Sequence, residues 1–235
     1  MRRAEIRRRE FACTLIGFSQ ITLEYFVATT DYDGLSRRES TTMARLSPIS
    51  RQDWSPDMVA FMSEYGAIVK GERNNEGRPS AANLLGTFAH HPDLTRAFLT
   101  FNGHILNGAT ITERIRELLI LRVAHLRQSD YEWAQHTLLA GDAGLSAEEV
   151  ARVTEGPNAL GWSALDRSLL RAADELVLDG VIGEVAWGEL AAEFDDRQLL
   201  DIVFTVCAYE LLAKVLRSVD VEPEADLVQY LPVRR

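Results

Sequence analysis

From Ser55 onward apolar residues recur at three- and four-residue spacing, with no sustained alternation of period two, so the chain reads as helical almost throughout. Ser55-Pro56-Asp57 opens a helix, with proline in the first turn where a missing N–H costs nothing, and Met58, Phe61, Met62, Tyr65 and Val69 form its apolar stripe. Gly71–Pro79 reads as a loop. A short helix is expected over Ala81–Ala89, and a second restarts at Pro92, carries Leu94, Phe98, Leu99 and Phe101, and loosens at Gly103 and Gly108. Thr110 to Glu113 has the spacing of a capping box and precedes Ile115–Leu126, which is apolar on nearly every side and so belongs at the centre of a bundle. Further helices are expected over Ser129–Ala140, from a second capping box at Ser146 to Glu149 as far as Thr154, from Ser163 to a stop at Gly180, and over about 183–193 and 196–218. The predicted architecture is an all-α bundle of roughly seven or eight helices.

Before Ser55 the pattern fails. Residues 1–42 hold seven Arg against six Asp and Glu, and 27–42 are polar, so 1–42 read as an N-terminal extension and Met43 as the start of a helical domain running to 222. The residues after Pro223 read as a C-terminal tail. Residues 1–42 balance to +1, so the net charge of -10 over 235 residues leaves -11 for 43–235, and a pI near 5.0 argues against a nucleic-acid partner. No apolar run approaches the ~20 residues of a membrane helix. Two cysteines, Cys13 and Cys207, make neither a disulfide framework nor a metal cluster, which points to a reducing, cytoplasmic setting.

One window has titratable residues where a solvated face is not expected. Glu117 lies in the apolar central helix, and Glu132 and His136 lie one turn apart on the next. A short connection near Arg127–Ser129 makes the two helices antiparallel neighbours, so two carboxyl groups and an imidazole converge. Burial raises a carboxyl pKa and a nearby carboxylate raises that of an imidazole, so both move toward neutrality, where proton transfer is efficient. Structural readings stand beside this one. Ser129 and Glu132 have capping-box spacing, and Glu117 has Arg114, Arg116 and Arg122 as potential ion-pair partners. His125 is close enough to join a metal set, but bundle sites use a Glu-x-x-His repeat on two helices, and no metal is assigned. His90 and His91 read as caps before Pro92. Tyr131, Trp133 and Tyr209 read as core or pocket wall, and Cys207 as a buried, inert thiol.

The stretches Glu113–Ala124 (ERIRELLILRVA), Tyr131–His136 (YEWAQH) and Ala143–Glu149 (AGLSAEE) resemble the carboxymuconolactone decarboxylase family, which also contains the alkylhydroperoxidase D-like proteins. Weaker likeness extends from about Ser80 to Val219. The resemblance implies an all-helical fold around a two-helix hairpin and assembly into dimers, trimers or hexamers. It also implies a choice of chemistry. In the peroxidase branch a cysteine pair reduces a hydroperoxide while Glu and His move protons, and those cysteine positions fall here on Ser129 and Glu132. A hydroxyl and a carboxylate cannot form a sulfenic acid and then a disulfide, so this branch is disfavoured. The decarboxylase branch implies cofactor-independent acid–base chemistry on a small carboxylated or lactone-type substrate. His136 is then the proton donor or the stabiliser of developing charge, Glu132 orients its imidazole, and Glu117 is a relay partner. Arg122 is the expected substrate-carboxylate anchor, with Tyr131 and Ser129 beside the substrate. A non-catalytic oligomer that binds a small molecule is the other reading the resemblance leaves open.

Overall fold

The computed structural model describes residues 44–69 and 81–232. The expected extension 1–42, the start at Met43, Cys13 and the loop Gly71–Pro79 lie outside the described residues. Within them the chain is all-α, with helices α1 (Pro56–Val69), α2 (Ala82–Phe88), α3 (Pro92–Asn107), α4 (Glu113–Leu126), α5 (Asp130–Asp142), α6 (Ala147–Val153), α7 (Ala164–Asp179), α8 (Glu184–Ala191) and α9 (Asp196–Ser218). These nine helices match the segments expected one by one, so the overall figure of seven or eight was low by at least one; α2, α6 and α8 are short, of seven or eight residues. No described helix is long and apolar enough to cross a membrane.

The helix starts follow local chemistry. Ser146 and Glu149 form the expected capping box, Ser163 Oγ accepts from the Asp166 N–H, and His91 Nδ1 accepts from the Leu94 N–H. A further box, Asp195 with Gln198, starts α9. The box expected at Thr110 does not form. Thr112 is the cap of α4, while Thr110 turns its N–H and hydroxyl to Asp201 Oδ2 at 2.5 and 2.6 Å, tying the loop to α9. Nor does Gly103 loosen α3, which runs through it to Asn107; a Cβ there would lie 3.3 Å from the Tyr65 ring, so the glycine admits α1 against α3.

Helix α4 is the axis of the fold. Leu118, Leu119, Ile120 and Leu121 are fully buried, which only a helix packed on all sides allows, and α5, α6, α7 and α9 supply the packing. Arg114 fixes its start to α6 and α7 through Glu149 (2.6 Å) and Asp166 (2.6 Å). At its end Gln128 adopts a left-handed conformation (φ 52°) and the Ser129 N–H reaches back to the Ala124 carbonyl at 2.8 Å. That closure folds α5 back along α4 and faces Glu117 with His136. After Pro223 the chain is anchored by the fully buried Leu227 and by Glu224, which accepts the Asn83 N–H at 2.9 Å and the Tyr131 hydroxyl at 3.3 Å.

Candidate functional site

Glu117 is wholly buried in the middle of α4. Its Oε2 lies 2.6 Å from His136 Nδ1 on α5, and its Oε1 accepts from Arg116 Nε at 3.0 Å. Arg116 is itself buried and donates a further hydrogen bond to the Leu106 carbonyl at 2.7 Å. Burial pushes the Glu117 carboxyl up, but His136 and Arg116 together outweigh it and hold the group below its ordinary value. Glu117 is therefore a carboxylate, and a carboxylate only accepts, so Nδ1 carries the hydrogen. This bond orients the ring and leaves Nε2 without a protein partner among the described residues. The Tyr209 ring on α9 packs edge-on to the imidazole, with centroids 4.9 Å apart.

Ser129 and Glu132 do not form the expected capping box. Ser129 precedes α5 with ψ 90°, whereas the short side chains that do cap, those of Thr112, Ser146, Ser163 and Asp195, sit at ψ between 154° and 171°. The turn that sends the Ser129 N–H to Ala124 rotates its hydroxyl off the helix end. The Ser129 hydroxyl and both oxygens of Glu132 are thus buried without a hydrogen-bond partner. Burial raises the Glu132 carboxyl to about 8, and the nearby Ser129 hydroxyl, which lies outside hydrogen-bonding geometry, opposes this weakly. Glu132 is an uncharged acid at neutral pH. It was expected to orient His136; Glu117 makes that contact instead. Tyr209, fully buried, has its phenol pKa raised first by burial and then by both Glu117 and Glu132, so the tyrosine adjoins both carboxyl groups.

The remaining expected residues are placed elsewhere. Arg122 is not free to anchor a carboxylate. It grips Asp174 of α7 in a fork, Nε to Oδ1 at 2.5 Å and Nη2 to Oδ2 at 2.9 Å, and its Nη1 donates to the Val153 carbonyl at 2.8 Å. Tyr131 is buried, bonded to Glu224 of the C-terminal segment, and burial raises its pKa. His125 packs against Trp133 rather than joining Glu117, and burial followed by Arg122 lowers its pKa. Among the described residues no group of three or more His, Cys, Asp or Glu is arranged to hold a metal ion. Cys207, expected in the core, is exposed on α9, and partial burial followed by Glu210 raises its pKa, which disfavours the thiolate.

A groove of about 1350 Å³ runs beside the hairpin, with Trp133, Leu145 and Val150 as apolar wall and His125, Ser129 and Thr137 as polar groups. Of the expected site residues only Ser129 lines it; Glu117, Glu132 and His136 are not among its lining residues. Sequence reasoning read Tyr209 as core or pocket wall without tying it to His136, and it named Arg116 as one of three potential partners of Glu117, of which Arg116 is the one that pairs. Arg116 adjoins Glu117 and was a visible partner, whereas no spacing rule connects α9 to a site built on α4 and α5.

Residues 92–175, from α3 to α7, match the model of the carboxymuconolactone decarboxylase family. The fold is similar to that of the debrominase Bmp8 C82A in complex with 2,3,4-tribromopyrrole (TM-score 0.63, 16% identity, 79% of this chain and 94% of that one). An uncharacterised peroxidase-related protein from Silicibacter sp. TM1040 matches with TM-score 0.63 and 16% identity over 80% of this chain and 97% of its own. The alkylhydroperoxidase AhpD core of an uncharacterised peroxidase-related protein from Ralstonia eutropha JMP134 matches with TM-score 0.60 and 19% identity over 73% and 91%. No functionally curated protein matches the sequence. At these identities the structural likeness is one of fold.

Proposed function

We propose that the chain, whose residues 92–175 match the carboxymuconolactone decarboxylase family model, is an acid–base enzyme acting on a small lactone-type organic molecule through a dienolate. The observation that carries the reading is the buried Glu117–His136 pair, 2.6 Å apart, beside an uncharged Glu132. His136 Nε2 takes a proton from a carbon next to the lactone carbonyl, and the imidazolium that forms is stabilised by Glu117. The electron pair moves into the dienolate, whose oxygen Glu132 stabilises through its O–H, and the proton returns to the far carbon. Decarboxylation of a carboxylated lactone reaches the same dienolate by breaking a C–C bond and releasing CO2. Of the two expected substrate classes the uncharged one suits the site better, because Arg116 and Arg122 are both committed to protein acceptors. Substrate entry is assigned to the groove that reaches Ser129. Peroxide reduction by a cysteine pair fits poorly, because Ser129 and Glu132 stand at the positions where the resemblance puts the two cysteines.

The test is NMR in D2O of unsaturated lactones with and without a carboxylate, incubated with the protein and with its His136→Gln variant. The expected result is deuterium incorporation into the uncharged lactone, lost in the variant. CO2 release from the carboxylated lactone alone would restore the decarboxylase reading and require another anchor. Equal incorporation by both proteins would remove His136 from the mechanism.

A further inference from the structure

Ser129, Trp133, Thr137 and Gly141 recur every four residues, so they share one face of α5 and draw a line about 18 Å long at 1.5 Å per residue. That line is one wall of the groove beside the hairpin, and Ala147, Val150 and Ala151 of α6 line it too. At Gly141 the groove is open, since a Cβ there would meet nothing within 4 Å. Its volume of about 1350 Å³ exceeds the ~300–1,000 Å³ of an ordinary ligand cleft, so a bare lactone ring would leave most of it to water. At the hairpin end Ser129 is 1% exposed, and its hydroxyl has no hydrogen-bond partner among the described residues. That hydroxyl is near the Glu132 carboxyl, so the groove ends at the acid–base site. Charge then decides what the groove admits. Asp130 and Glu155 line it, and no Lys or Arg among the described residues does. Burial, followed by Arg122, lowers the His125 pKa, so the imidazole in this wall is uncharged at neutral pH.

We propose that the groove binds the long alkyl substituent of an uncharged lactone, laid along Trp133 with the lactone ring at Ser129. The inference rests on the acid–base reading and narrows its substrate class. The Ser129 hydroxyl, which no protein group satisfies, donates to an oxygen of the ring, and a ligand that supplies this acceptor removes the cost of burying the hydroxyl alone. Trp133, Leu145 and Val150 take the chain out of water, which makes its length the main source of affinity. A chain ending in a carboxylate meets only like charge, from Asp130 and Glu155, and gains nothing from its length.

Two series of lactones, each lengthening its alkyl chain by one methylene at a time, provide the test on the full-length protein. Titration calorimetry with the saturated series reads binding without turnover, and deuterium incorporation into the matching unsaturated series reads KM. Both Kd and KM should fall about fourfold per methylene until the chain reaches the open end at Gly141, and neither should fall when the chain ends in a carboxylate. Ala151→Trp and, separately, Ala147→Trp, both at exposed positions and each confirmed by circular dichroism to keep its helical melt, should flatten the two series. A Kd that ignores chain length would overturn the proposal, since the groove would then be covered by another segment of this chain or by a second copy. A fall that is equally steep in the wild type and in both folded variants would overturn it as well, by placing the chain elsewhere. Binding that follows chain length without any deuterium incorporation would keep the alkyl groove and remove the acid–base reading instead.

Discussion

Replacing Glu132 by Gln should make the stability of this protein respond less to pH, by an amount the buried carboxyl sets. Unfolded, the carboxyl titrates near the ordinary 4.5; folded, burial raises it to about 8. A folded pKa above the unfolded one means that the native state holds the proton longer, so stability is greatest below pH 4.5 and falls as pH rises toward 8. Each pH unit in that window costs about 1.4 kcal/mol. Between pH 5 and pH 8 the wild type should lose roughly 3 kcal/mol through this one group, or about 6–12 °C in melting temperature at 2–4 °C per kcal/mol. Gln has the same shape and no titration. Its amide is as poorly partnered as the acid, which subtracts a constant, so the slope rather than the offset carries the information. Calorimetric melts of both proteins at pH 5, 6, 7 and 8 should show the stability difference moving in favour of Gln by about one proton's worth per unit. A difference that stays flat over this range would mean that Glu132 is hydrogen-bonded or hydrated and already ionised at neutral pH, and the uncharged acid assigned to the site would not exist.

Three other substitutions probe the neighbouring contacts. Glu117→Gln leaves the buried Arg116 without its anion, so denaturant melts should show a loss of about 3–5 kcal/mol. Arg122→Lys keeps the charge but loses the fork on Asp174, for an expected loss of about 1.5–3 kcal/mol with no change in the KM of a turned-over lactone; a raised KM at unchanged stability would return Arg122 to the substrate. Gln128→Gly relieves the left-handed residue between α4 and α5 and should stabilise the fold by about 0.5–1 kcal/mol in urea titrations, the strain relieved exceeding the entropy that glycine adds to the unfolded chain.

What could be read from the sequence was what local chemistry controls. The Glu117–His136 contact joins residues 19 apart across a three-residue turn, and once α4 and α5 were recognised as neighbours the pairing followed. The helix caps at Ser146 and Ser163 were legible for the same reason. Arg122 was misjudged because its partner lies 52 residues away on α7, where no spacing connects them. The Ser129–Glu132 pair misled in the opposite sense. Its spacing satisfies a capping box, but the closure of the α4–α5 turn sets ψ of Ser129 to 90° and withdraws the hydroxyl, leaving both side chains unpartnered where the sequence pattern shows them satisfied. Tyr209 joins the site only because α9 packs against α4. Cys207 sits in an apolar helix, yet periodicity does not say which apolar face looks inward when both faces of α9 are apolar.

The claim that Glu117 and His136 act as one acid–base unit is tested most directly by a double-mutant cycle on deuterium incorporation into an unsaturated lactone. Groups that act together lose their function together, so Glu117→Gln, His136→Gln and the double variant, each confirmed folded, should all fall to the same residual rate. Losses that multiply in the double variant, or a Glu117→Gln protein that exchanges as fast as the wild type, would show that the carboxylate supports the fold and takes no part in the chemistry.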